Sequence, residues 1–229
     1  ELASDGSTRP GWPVTIEGCV GVPTIGPDGT LYATAGCEAI VNGVSKPPVE
    51  PEQILALGPD GTERAGWPYT LPADLLAWPY APVEGLPSRA YSPTAAPDGT
   101  IYLPIHPPGD YHRQGILAIA SDGTARAGWP VWLPEGESLA TPGSTGGGAD
   151  LVPFAFGPDG GVYVSAESGP GEASILGLMP DGSPKPGWPF VAAGTDSQPI
   201  RIIDLTVLPD GSLLASGGSV VYLIPASGR

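Results

Sequence analysis

The stretch HPPGDYHRQ, residues 106–114, carries the densest reactive chemistry in the chain. It holds both histidines, His106 and His112, together with Asp110, Tyr111 and Arg113. An imidazole exchanges a proton near neutral pH, and His with Asp can ligate a metal. One reading is therefore a lyase or hydrolase working from His106, Asp110 and His112. The spacing matches no established motif, so the competing reading is a polar surface loop or a protein contact. A second set, Trp78, Tyr80, Arg89 and Tyr91, has the residue types that dominate protein interfaces. The plain alternative is that these side chains pack a long connection onto the body. Trp78 and Trp132 are also candidates for a sugar-binding platform. Glu135, Glu137, Asp150, Glu167 and Glu172 are a conceivable calcium set. No EF-hand-like spacing supports it, so no metal site is assigned. The chain has no G-x-S-x-G, no H-E-x-x-H, no P-loop and no sequon at its only asparagine, Asn42. No catalytic residue is assigned either.

The elements that must carry these groups are announced by repetition. ILALGPDGTERAGWPYTLP (54–72) returns as ILAIASDGTARAGWPVWLP (116–134) and ILGLMPDGSPKPGWPF (175–190). A truncated form, LASDGSTRPGWPVTI, occupies residues 2–16. A spacing of about 60 residues marks a repeat architecture. Each repeat holds two hairpin signals. The first is an apolar run, PDG and a second run, with PDG at 27–29, 97–99, 158–160 and 209–211. Pro presets φ, Asp accepts a local backbone hydrogen bond, and Gly takes positive φ, which predicts a three-residue loop. The second hairpin uses PDGT, SDGT or PDGS and runs into GWP. Four strands, A to D, follow for each repeat. The only short helical candidate is LPADLLAW (71–78).

Proline orders the strands. Pro23, Pro93 and Pro153 sit in strand A, and Pro13, Pro68, Pro130 and Pro189 open strand D. Proline cannot donate to a ladder and belongs on edges. Strands B and C are therefore central in a four-stranded antiparallel sheet, one blade of a β-propeller. The fourth repeat reaches strand C at VVYLI (220–224), and GWPVTI (11–16) supplies the type of strand it lacks. The expected fold is all-β: one propeller of four blades over residues 1–229, closed by the N-terminal strand. The blades span about 18–72, 88–134, 149–192, and 200–229 with 10–17. Two chains sharing a larger ring, or a piece of a longer array, are the alternatives.

Cys19 and Cys37 flank the first hairpin. If Gly26 faces Thr30 across its loop, counting outward places Cys19 opposite Cys37 at a non-hydrogen-bonded site, where a disulfide fits. That predicts an oxidising compartment. The alternatives are two free thiols, or a bulge near Gly21 that shifts the register.

The pattern P-x-h-x-PDGT-h-Y followed by h-h-A-h-x-PDGT and Trp resembles the repeat of pyrroloquinoline-quinone-type propellers. That family includes quinone-dependent alcohol dehydrogenases and a lipoprotein of outer-membrane assembly. The GWP segments depart from it and are similar to those of secreted FG-GAP-like repeat proteins, whose Asp-rich calcium loops are absent here. The resemblance implies that Trp12, Trp67, Trp129 and Trp188 dock strand D on the neighbouring blade. The family's quinone enzymes use adjacent cysteines and a longer chain, so no quinone or other cofactor is expected.

The formal charge is −15 with nine basic residues, which argues against nucleic acid and anionic membrane surfaces as partners. No apolar run is long enough to span a bilayer. The chain starts at Glu1, which suggests processing or a fragment. The A–B and C–D turns are short and uniform, whereas the B–C and D–A connections vary. Variable loops on a fixed scaffold carry function. The leading expectation is a non-catalytic, secreted or periplasmic module that binds or scaffolds other proteins through that loop face. A carbohydrate-binding propeller and the His106/Asp110/His112 enzyme are the alternatives. Its partners are then proteins or glycans at the cell surface, or a second copy in a homodimer.

Overall fold

The computed structural model describes residues 5–16, 19–37, 39–41, 44–46, 52–77, 92–110, 112–140, 154–169, 172–193, 202, 204–217 and 220–228. Every turn in them that carries Asp-Gly obeys the local chemistry of those residues. At the first, the Gly26 N–H donates to the Thr30 carbonyl at 2.8 Å and the Gly29 N–H to the Gly26 carbonyl at 3.0 Å. The Asp28 carboxylate accepts from the Thr30 N–H and hydroxyl, and Gly29 has φ +81°. The same bonds recur at Ala96–Thr100, Gly157–Gly161 and Leu208–Ser212, and in the C–D turns at Gly58–Thr62, Ala120–Thr124 and Met179–Ser183.

These turns build antiparallel sheets, and no helix occurs among the described residues. In the first sheet the order is Cys19–Val20, Leu31–Cys37, Gln53–Leu57, Tyr69–Thr70, with Thr24–Ile25 also on Leu31–Cys37. The second runs Val131–Trp132, Gly115–Ile119, Ile101–His106, Leu76–Ala77, with Thr94–Ala95 on Ile101–His106. The third runs Ser138–Leu139, Val162–Gly169, Glu172–Leu178, Phe190–Ala193, with Phe154–Phe156 on Val162–Gly169. The order is the expected A-B-C-D, with the proline-bearing strands outside. The fourth sheet has three strands, Asp204–Val207, Leu213–Gly217 and Val220–Ile224.

Four features differ from the sequence reading. The described part of the helical candidate, LPADLLA (71–77), is a turn followed by strand Leu76–Ala77, because residues 76 and 77 pair with His106 and Ile105. The outer strand of the second and third sheets is thus made of two pieces, one drawn from the D–A connection. The long first B–C loop contains its own hairpin, Ala39–Val41 with Val44–Lys46. Residues 14–16 form no strand, so closure of the last sheet by the N-terminal segment is not shown. Finally, Cys19 does pair with Cys37, but through a shifted ladder: Val20 faces Ala35, while Thr24 faces Tyr32. Gly36, at φ +91°, is the extra residue between the two outer rungs, a conformation that suits a bulge glycine.

The described chain divides into two compact units, residues 1–109 with 118–125, and residues 110–117 with 126–229. In the first, Tyr32, Ile54, Ile101, Tyr102, Leu103 and Ile105 are buried. In the second, Tyr163, Ile175, Trp188, Ile202, Leu213 and Ile224 belong to one apolar cluster.

Candidate functional site

The B–C loop after Ile101–His106 and the connection after Val131–Trp132 meet at one place. Residues 110, 112–114 and 133–138 line a cavity of about 530 Å³, wholly within the second unit. Its shape comes from backbone bonds. The Asp110 carboxylate accepts from the N–H groups of His112 and Arg113 at 3.1 and 3.2 Å, which folds the loop tip. Buried Gln114 ties the two walls together: its carbonyl accepts from the Leu133 N–H at 2.9 Å, and its side-chain oxygen from the Leu139 N–H at 2.7 Å. The Glu137 N–H donates to the Pro134 carbonyl at 3.1 Å and closes the second loop.

The first unit contains the same construction one repeat earlier. The Glu52 carbonyl accepts from Leu71, its carboxylate from Ala77 at 2.7 Å, and the Leu75 N–H donates to Pro72. LPADLLA (71–77) therefore superposes in role on LPEGESL (133–139), and Glu137 stands where the earlier repeat has Leu75. Leu75 is buried. Glu137 keeps that partly buried position with a carboxylate: its Oε2 is buried and has no hydrogen-bond partner. Burial pushes its carboxyl above the ordinary range. Leaving a carboxylate oxygen desolvated and unpaired is costly, so a residue that does so beside a cavity marks a functional candidate.

The expected site residues divide accordingly. Asp110, His112 and Arg113 are exposed and line the cavity. His106 does not sit in the loop with them. It ends strand Ile101–His106, fully buried, with ring Nδ1 2.8 Å from the Pro107 carbonyl oxygen. A carbonyl only accepts, so Nδ1 carries the proton. The buried strand position removes His106 from solvent access at the loop. Trp132 lies on the ladder opposite Gly115, where any larger residue would meet its ring. The Arg113 guanidinium sits 4.5 Å from its ring centroid. The ring is thus covered by a cation rather than offered as a bare platform. Trp78, Tyr80, Arg89, Tyr91, Tyr111 and Asp150 lie outside the described residues. Of the other acidic candidates, Glu135 and Glu137 line the cavity and Glu167 and Glu172 lie on the Val162–Gly169/Glu172–Leu178 hairpin. Among the described residues no three His, Cys, Asp or Glu side chains are grouped to hold a metal ion.

The tryptophans of the GWP segments each reach the C–D turn of the following repeat. The indole N–H of Trp12 donates to Pro59 at 3.0 Å, that of Trp67 to Ser121 at 3.2 Å, and that of Trp129 to Pro180 at 3.1 Å. Each Trp-Pro bond is cis. Trp188 packs on Tyr163, with ring centroids 4.8 Å apart, and its buried N–H has no partner. The turn it faces reads PASG (225–228) in place of an Asp-Gly turn.

In sequence Glu137 belongs only to a conceivable calcium set, and nothing singles out Gln114, Leu133 or Pro134. The available signal was the alignment of LPEGESL on LPADLLA, which exposes a glutamate in a leucine's place.

No family model and no curated protein matches the chain. Among solved structures it is similar to PorZ, a surface component of the type-IX secretion system of Porphyromonas gingivalis. The TM-score is 0.47 and the identity 14%, over 92% of this chain and 26% of PorZ. It is similar to a protein of unknown function from Dyadobacter fermentans, with TM-score 0.46, 14% identity, and 90% and 60% of the two chains covered. For the PQQ-bound aldose sugar dehydrogenase of Streptomyces coelicolor the values are 0.40, 14%, 94% and 65%. The chain spans less than two thirds of each of these proteins. Similarity at this level decides neither activity nor partner.

Proposed function

We propose that the chain is a non-catalytic binding module that holds other proteins through its B–C and D–A loops. The observation that carries this reading is the cavity itself. One loop of each variable class contributes a wall to it, and buried Gln114 pins the two together. A preformed concavity on rigid strands needs little ordering on association. Asp110 is engaged with its own loop backbone, and buried His106 lies apart from the cavity lining, so the lyase or hydrolase reading has no assembled proton-transfer pair to rest on. The sugar-platform reading is weakened by the guanidinium over Trp132.

In this proposal the four repeats are blades of one propeller, with residues 11–16 as the strand beside Val220–Ile224. The repeated Trp-to-turn contact supports it, as does the apolar exposure of Val221 and Leu223 on the last strand. The setting is extracellular or periplasmic, which the opposed cysteines favour.

The test is retention of proteins from a native envelope fraction by the immobilised chain. It is compared with a variant whose residues 110–113 and 135–138 are replaced by Gly-Ser segments. The same proteins should be retained by the parent and lost by the variant, while an unrelated acidic protein retains neither set. Equal retention by both chains would refute the loop-face reading.

A further inference from the structure

We infer that the open edge of the fourth sheet, strand Val220–Ile224, takes its fourth strand from residues 9–16 of a second copy of this chain. This rests on the placement of that segment proposed above and adds which copy supplies it. The repeated ILAL, ILAI and ILGL align Ile54, Ile116 and Ile175 with Val221 of VYLI (221–224). Each of these isoleucines pairs across the ladder with the second residue after its sheet's tryptophan, namely Tyr69, Val131 and Phe190. All three isoleucines are 0% exposed, whereas Val221 is 65% and Leu223 67% exposed. Among the described residues, Val220–Ile224 pairs only with Leu213–Gly217. An apolar edge strand with unpaired backbone groups is a template for another strand.

Charge selects the occupant. Asp28 lies 2.6 Å from Arg64, and Asp159 pairs with Lys185. Each of these cations stands three residues before its tryptophan. Asp210 is the matching aspartate of the fourth sheet, and among the described residues it bonds only to Ser212. Residues 9–16 carry what is missing: Arg9 three residues before Trp12, and Val14 two after it. In the ladder that the other sheets share, Val14 faces Val221 and Arg9 reaches Asp210. Within one chain both segments are described, no ladder joins them, and Val221 and Leu223 stay exposed. The strand is therefore assigned to a second copy. The exchange is reciprocal, so two copies close a symmetric dimer.

Light scattering of the full chain should give twice the 23.2 kDa of one copy. Val221→Lys with Leu223→Lys alters side chains that one chain leaves exposed, so its circular dichroism should stay native-like while its mass falls to that of a single copy. Arg9→Glu should weaken the dimer about threefold or more, and should have little effect once Asp210→Asn has removed the opposing charge. In a mixture of two differently isotope-labelled copies, the methyl groups of Val14 and Val221 should show a contact between chains. A parent mass of one copy, or a dimer unmoved by the Val221/Leu223 variant, overturns the inference. A Val14–Val221 contact confined within single chains also overturns it, but leaves the placement of residues 11–16 beside Val220–Ile224 standing. The binding-module reading is judged separately, by partner retention on loop replacement, and can fail while the dimer holds.

Discussion

Trp67 donates its indole N–H to the carbonyl of Ser121, 54 residues later, at 3.2 Å. The contact joins a GWP segment to the C–D turn of the next repeat. Trp12 and Trp129 do the same at Pro59 and Pro180. Trp188, equally buried, has no acceptor. Replacing Trp by Phe removes similar volume at Trp67, Trp129 and Trp188. Only the first two also strand a carbonyl. Trp67→Phe and Trp129→Phe should each cost about 1 kcal/mol more than Trp188→Phe. Urea denaturation midpoints measure this, and equal losses at all three sites would refute the hydrogen bond's contribution.

Gly66 has φ +87°, and a methyl on it would overlap the backbone carbonyl of Asp122. Gly136 has φ +85° with nothing within 4 Å of its missing Cβ. Gly66→Ala should therefore combine backbone strain with a clash against main chain, costing about 3 kcal/mol or more, whereas Gly136→Ala should cost about 1 kcal/mol. Thermal unfolding of the two variants tests the difference.

Glu137 has a carboxyl raised by burial. The folded state therefore holds its proton to higher pH than the unfolded chain does. Stability falls as pH rises from the ordinary carboxyl range through the raised value, and the penalty is fully present above it. Asp110, His112, Arg113 and Glu135 line the same cavity. At neutral pH, Glu137→Leu should stabilise the chain, by ~1 kcal/mol because the residue is only part-buried. The gain should vanish on acidification below the ordinary carboxyl range. A gain independent of pH would point to packing alone.

The turn aspartates behave oppositely. Asp28 is held below the ordinary carboxylate range first by the Thr30 N–H, with help from Arg64 at 2.6 Å. Asp159 is lowered first by the Lys185 side chain and then by the Gly161 N–H. These groups contribute stability above the unfolded carboxyl pKa, and it is lost as pH falls through their depressed folded values. Melting temperature should drop steeply below about pH 4. In Asp159→Asn, which keeps the shape without the charge, the drop should be shallower.

The ladder sets Cys19 opposite Cys37. The intact chain should weigh two hydrogens less than the reduced chain in mass spectrometry without reductant. Two thiols reactive to alkylation would remove the argument for an oxidising compartment.

The sequence alone determined the units and their internal order. Pro, Asp and Gly act through their own backbone geometry, so a PDG or SDG turn needs no distant partner. Proline's missing N–H assigns strands A and D to the edges wherever the sheet sits. The facing of Cys19 and Cys37 was legible for the same reason, although the bulge at Gly36 was not. Its compensating shift depends on how two separate pieces, Cys19–Val20 and Thr24–Ile25, lie on one strand. Only tertiary structure decided that residues 76 and 77 become strand, since LPADLLAW has helical composition and its pairing partners, Ile105 and His106, lie about thirty residues away. It also decided the site. His106 and His112 are close in sequence, yet one ends a buried strand and the other tips an exposed loop. Glu137 looks like an ordinary surface acid until its loop is folded onto Gln114, because desolvation belongs to the surroundings of a residue and not to its type.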